Sequence, residues 1–152
     1  MQAFIVKEKS ELPATAATLL QIAGKRRKFV LYGDLGAGKT TLVQSLCAVL
    51  GVRDTVASPT FSLVNEYRCT DPADQSVQPV YHLDLYRLKD LDEALAIGIE
   101  EYLDSPAYCF IEWPQVIEPL LDSDVVELHL EVLPGDSRKI LFLSESDSST
   151  QP

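Results

Sequence analysis

Basic residues are in short supply: 13 Lys and Arg stand against 23 Asp and Glu, a formal net charge of −10 over 152 residues. Such a surface repels phosphate backbones and argues against a free-standing nucleic-acid binder unless the cations cluster. Cysteine is sparse too. Cys47, Cys69 and Cys109 are odd in number and show no CxxC spacing, so neither a disulfide framework nor a zinc site is expected, and each reads as a small buried hydrophobe. No apolar run approaches the ~18 residues of a membrane span. The opening MQAFIVKEKS lacks the long apolar core of a signal peptide. These absences point to a cytoplasmic, reducing location. What remains is ordinary globular usage, 46% hydrophobic and 24% charged, which excludes disordered, collagen-like and coiled-coil readings. The length fits one domain, expected over residues 1–143, that buries about two thirds of its unfolded surface. The Ser/Asp/Thr-rich tail from Ser144 to Pro152 is expected to be disordered. There is no internal repeat.

Hydrophobic periodicity predicts the order of elements. Ala3 to Val6 reads as a short strand, and Ser10-Glu11 as a helix start with Pro13 in the first turn. Leu12, Ala16, Leu19, Leu20 and Ala23 recur at helical spacing, stopped by Gly24. The cations Lys25 to Lys28 form either a binding patch or a solvated turn. Phe29 to Tyr32 is apolar without alternation, as in a strand covered on both faces. A helix follows from Lys39 to Leu50, closed by Gly51. Phe61 to Arg68 and Val80 to Tyr86 read as an antiparallel strand pair. Asp90 to Leu103 is helical but broken at Gly98, and Ala107 to Ile111 is another buried strand. Val125 to Leu133 and Arg138 to Leu143 form a late hairpin.

The sharpest feature is Gly33-Asp34-Leu35-Gly36-Ala37-Gly38-Lys39-Thr40, a full GxxxxGK[ST] match. By composition it arises by accident in roughly one chain in two hundred of this length. Its place between a buried strand and a helix sharpens it further. The glycines let the backbone curl so that N–H groups point at phosphate oxygens, and the helix start adds its positive dipole end. Lys39 supplies charge for the β- and γ-phosphates, the Thr40 hydroxyl is placed to ligate Mg²⁺, and Thr41 to donate to the α-phosphate.

Such a site needs a second carboxylate at the end of a neighbouring buried strand. Glu112, ending Ala107 to Ile111, has that position. In His82-Leu83-Asp84-Leu85-Tyr86 the alternation puts His82, Asp84 and Tyr86 on one face. That face either serves the nucleotide, with Asp84 the acid, or is an exposed strand surface. Thr60, in Ser58-Pro59-Thr60-Phe61, either senses the γ-phosphate or caps a proline-led turn. Trp113, the only Trp, is either a core residue or an aromatic that moves with nucleotide state.

Taken together, GDLGAGKTT (33–41), SPTF (58–61), NEY (65–67), HLDLYR (82–87), Gly98-Ile99-Glu100 and IEWP (111–114) resemble, in order, the TsaE (YjeE) family. These are the ATPases of bacterial tRNA threonylcarbamoyladenosine biosynthesis. The likeness runs from about residue 3 to residue 143. It implies an α/β phosphate-loop fold, a central parallel sheet extended by antiparallel strands, with helices on both faces. It implies ATP/ADP rather than GTP, in keeping with the lack of an NKxD motif. Carried over by position, Lys39 and Thr40 hold phosphates and Mg²⁺, Glu112 is the second metal partner, and Asp84 serves hydrolysis and adjoins the metal. Thr60 and Trp113 belong to nucleotide-responsive segments. Ser137, Arg138 and the first helix near Glu11 to Thr15 flank the base or ribose. The implied partner is a TsaD–TsaB complex that modifies adenosine 37 and itself holds the tRNA, with no membrane involved. Two rivals stand beside this reading. A small-molecule kinase would need Arg-rich lid residues, and none cluster here; a non-catalytic regulator would not need both Asp84 and Glu112.

Overall fold

The computed structural model describes residues 1–53, 63–70 and 74–143. Among these residues, seven strands form one sheet: β1 (Gln2–Val6), β2 (Lys28–Tyr32), β3 (Val64–Thr70), β4 (Val77–Asp84), β5 (Tyr108–Glu112), β6 (Val125–Val132) and β7 (Arg138–Leu143). Their order across the sheet is β1-β7-β6-β2-β5-β4-β3. β2 lies at the centre, parallel to β5 and β6, and β4 runs parallel to β5. The outer pairs β1/β7, β6/β7 and β3/β4 are antiparallel. The expected mixed sheet is the one observed.

The helices explain why the inner strands read as unbroken apolar runs. α1 (Leu12–Ala23) and α2 (Lys39–Leu50) cover one face, where Ala16, Leu19, Leu42 and Leu46 pack on Phe29, Leu31, Phe110 and Leu128. The short helices α3 (Leu91–Ala96) and α4 (Ile99–Asp104), with the 3-10 turn Pro114–Leu120, cover the other. There Ala94, Ile99 and Ile117 meet Val30, Leu83, Cys109 and Ile111. Successive residues of a strand thus enter opposite cores, and a strand buried on both sides has no polar positions to alternate.

Several boundaries differ from expectation. A 3-10 turn, Lys9–Glu11, precedes α1, which opens at Leu12 with Pro13 at a position that needs no amide donor. β4 stops at Asp84, so Tyr86 is not on the strand. Leu85 N–H turns to the Glu112 carbonyl (3.1 Å), Asp84 accepts from Tyr86 N–H (3.0 Å), and the Tyr86 side chain is exposed. Cys47 and Cys109 are buried but Cys69 is only half-buried, because it sits on the edge strand β3. Ser58 to Phe61, and with it Thr60, lies outside the described residues, as does the tail from Ser144. No helix among the described residues is long and apolar enough to cross a membrane.

Candidate functional site

The segment from Gly33 to Gly38 joins the carboxyl end of β2 to α2 and wraps the helix start. Gly36 and Gly38 have φ of 83° and 99°, the left-handed region that an L side chain adopts at a cost. Gly33 is fixed differently: a Cβ there would stand 2.9 Å from the Leu130 carbonyl oxygen and 3.2 Å from the Ala37 methyl group. The loop is therefore held against β6, with Ala37 buried beneath it and Asp34, Leu35 and Gly36 exposed.

Lys39 is the first residue of α2 and is 5% exposed. Its Nζ donates to the carbonyls of Gly33 and Asp34 and lies 3.7 Å from the centroid of the Trp113 ring. Burial pulls its ammonium below the usual lysine range, opposed by the carboxylates of Glu112, Asp84 and Asp34. Thr40 Oγ1 donates to Glu112 Oε2 at 2.9 Å, which ties the helix start to the end of β5. Asp84 and Glu112 are directly paired across the parallel strands β4 and β5. Glu112 is 3% exposed; Asp84 is half-buried, and loss of solvent is the main reason its carboxyl sits above the usual range. The Glu112 charge raises it further, while the Tyr86 N–H, His82 and Lys39 act the other way.

His82 takes part in a way its alternation only half indicated. It is completely buried, and its Nε2 lies 2.6 Å from Glu112 Oε2. It is neither an exposed strand residue nor directed at the loop. Trp113 has φ 56° at the turn after β5 and packs on Tyr86 at a ring separation of 4.9 Å. It is half-buried and stands over the Lys39 ammonium, so it is not a core residue.

On the other side of the loop is a groove of about 190 Å³, lined by Val6 to Lys9, Leu12, Gly38, Thr41, Asp136 and Arg138 among others. Arg138 Nε would be 3.9 Å from a Cβ on Gly38, so β7 does reach the loop. Of the residues expected beside the base or ribose, Arg138 and Leu12 line this groove, whereas Ser137, Glu11 and Thr15 do not. Ser137 instead gives its carbonyl to Leu133 N–H (2.8 Å) within the β6–β7 turn. Glu11 turns its carboxylate back onto the N–H groups of Lys7 (2.6 Å) and Glu8 (3.2 Å), and the Thr15 hydroxyl bonds the Glu11 carbonyl (3.1 Å). The groove is flanked by the end of β1 and the turn after it, with Leu12 as α1's contribution. Lys7, Glu8 and Asp136 were not singled out in the sequence, since no local pattern marks residues that meet only when β1 pairs with β7.

Comparison with known proteins agrees with this architecture. Residues 6–140 match the family model described as "Threonylcarbamoyl adenosine biosynthesis protein TsaE". The tRNA threonylcarbamoyladenosine biosynthesis protein TsaE of Bacillus subtilis is 38% identical over 112 residues, covering 74% of this chain and 66% of that protein. The Rickettsia felis protein of the same name is 33% identical over 150 residues, covering 96% and 82%. Its Haemophilus influenzae counterpart is 34% identical over 117 residues, covering 77% and 70%. Among solved structures, the crystal structure of YdiB from Bacillus subtilis superposes with a TM-score of 0.70 at 28% identity, covering 94% of this chain and 84% of that one. With the family model matching residues 6–140 of the 152, this chain belongs to the TsaE family.

Proposed function

We propose that the protein binds Mg–ATP at the Gly33–Thr41 loop and hydrolyses it, in support of threonylcarbamoyl adenosine modification at position 37 of tRNA by a TsaD–TsaB-type complex. The observation that carries this reading is the meeting of Thr40 Oγ1 with Glu112 Oε2 at 2.9 Å, beside the buried Lys39 ammonium. One hydroxyl and one carboxylate are a donor set suited to Mg²⁺, which keeps waters and shares its coordination with substrate phosphates. When bound, Mg²⁺ would neutralise charge on the β- and γ-phosphate oxygens.

The chain's own residues divide the remaining work. Lys39 exchanges the carbonyls of Gly33 and Asp34 for phosphate oxygens, a stronger charge-assisted pairing. The loop N–H groups and the start of α2 bind the phosphates. Asp84, whose half-buried carboxyl resists ionisation, orients the attacking water and takes up its proton. The groove beside Gly38 and Arg138 receives the nucleoside. The net charge of −10 suits a chain that leaves the tRNA to its partner.

The test is ATP hydrolysis by the chain alone and with a purified TsaD–TsaB pair, with Lys39→Ala as the blank. Stimulation by the pair is expected, with Thr40→Ala losing Mg²⁺ dependence and Asp84→Ala keeping ATP binding but not turnover. Transfer of phosphate to an acceptor other than water, or partner-dependent activity that survives loss of hydrolysis, would overturn it.

A further inference from the structure

His82 is completely buried on the α1/α2 side of the sheet, between Asn65 of β3 and Phe110 of β5 in strand register. The Tyr67 ring lies 6.4 Å away, tilted by 37°. Its Nε2 is 2.6 Å from Glu112 Oε2, and its Nδ1 is buried with no hydrogen-bond partner. A carboxylate oxygen only accepts, so Nε2 carries the proton in this pair.

Thr40 and His82 both donate to the same oxygen of Glu112, and among the described residues Oε1 receives no hydrogen bond. The two donors differ in what they can do next. Thr40 is at the start of α2 and faces the loop, so its hydroxyl is drawn into any ligand held there. His82 is locked in the core, and among the described residues Glu112 is its one side-chain hydrogen-bond partner. We infer that His82 is a positioning residue that fixes the Glu112 carboxylate through Oε2, so that it keeps its orientation toward the loop when Thr40 turns away from it. Without that bond, Glu112 would have to find its orientation anew each time the Thr40 hydroxyl was released. The inference rests on the reading of this site as one for Mg–ATP. It places outside the nucleotide site a residue on which the site's response to metal depends.

The test compares His82→Gln, His82→Asn and His82→Leu, with folding checked by thermal melts. Gln extends an amide donor to about the position of Nε2; Asn ends near Nδ1 and falls short, and Leu has none. ADP affinity is followed by the fluorescence of Trp113, with and without chelator and across a Mg²⁺ titration. Asn and Leu are expected to need ~10–100-fold more Mg²⁺ for the same ADP affinity, the usual cost of losing a residue that orients a metal ligand. Gln should remain near wild type, and affinity in chelator should be equal in all four proteins. Equal Mg²⁺ titrations for Leu, Asn and wild type overturn the inference, as does a folded Gln variant no better than Leu. A wild-type chain whose ADP affinity ignores Mg²⁺ overturns the parent reading as well. The ring ¹⁵N spectrum of the wild-type protein checks the geometry without any variant: a proton on Nε2 supports the assignment, and an Nε2 without one overturns it.

Discussion

Lys28 and Lys39 stand near opposite ends of the central strand and begin from the same chemistry. Each ammonium donates to two backbone carbonyls, and each is held below the usual lysine range chiefly by burial. They differ in where those carbonyls come from. Lys28 reaches Ser105 and Ala107, 77 and 79 residues away, and so fastens the turn before β5 to the start of β2. Its neighbours do similar work: Arg26 closes the end of α1 through the carbonyls of Ile22 and Ala23, and Arg27 reaches Pro106 while lying over the Tyr108 ring. Lys39 holds carbonyls only five and six residues away in its own loop, beside Glu112 and Asp84. Contacts of that kind can be exchanged for a ligand without opening the fold. Two lysines of one chemistry are thus a staple and a working group, and the difference is the sequence distance of their partners.

Substitution at Lys39 tests the comparison most strongly. Lys39→Ala is expected to lower ATP hydrolysis by ~10²–10³-fold, the usual loss when one donor aimed at developing charge is removed, with little change in melting temperature. A melting temperature that falls with the activity would make Lys39 a staple as well. Asp84→Asn separates function from stability at the same end of the sheet. Turnover should drop by ~10²-fold or more, as for loss of a general base, while the protein becomes more resistant to heat at neutral pH. Burial raises the Asp84 carboxyl in the fold, so its ionised form costs stability above that raised range and costs nothing once both folded and unfolded chains are protonated. The gain from Asn should accordingly shrink as pH falls through the ordinary carboxylate range, and a gain that grows on acidification would refute the assignment.

Lys28→Met is the converse case. Leaving the Ser105 and Ala107 carbonyls unpaired should cost ~1–3 kcal/mol in denaturant unfolding, with hydrolysis per folded molecule unchanged. Hydrolysis that falls as far as in Lys39→Ala would erase the distinction. The smallest effect concerns the thiols. Burial pushes Cys47 and Cys109 up to about 12, so at neutral pH they should resist alkylation in the folded protein while half-buried Cys69 reacts first. Mass spectrometry after a short exposure to iodoacetamide would show the order.

Much of the fold was legible because its signals are local. Glycine and lysine spacing marked the loop, and uninterrupted apolar runs marked the strands covered on both faces. The place of Glu112 followed from its ending such a run, and the face of Asp84 from the alternation around it. His82 could be assigned to a face but not to a layer, because alternation does not say whether a helix covers that face. Tyr86 was misplaced since nothing local announces that Leu85 turns to the Glu112 carbonyl. The lining of the groove was only partly legible, at Arg138 and Leu12, because much of it is brought together by the pairing of β1 with β7.

The register of β2 also governs when the loop can form during synthesis. Lys28 pairs with Cys109 on one side and Val125 on the other, whereas the hairpins β3/β4 and β6/β7 close over short connections. The strand that carries the loop therefore waits for closures far longer than those hairpins, though shorter than the pairing of β1 with β7. A nascent chain would already have exposed Gly33 to Thr41 while β5 and β6 were still inside the ribosome, so the motif is among the early segments to be made and its anchoring among the late events to be completed.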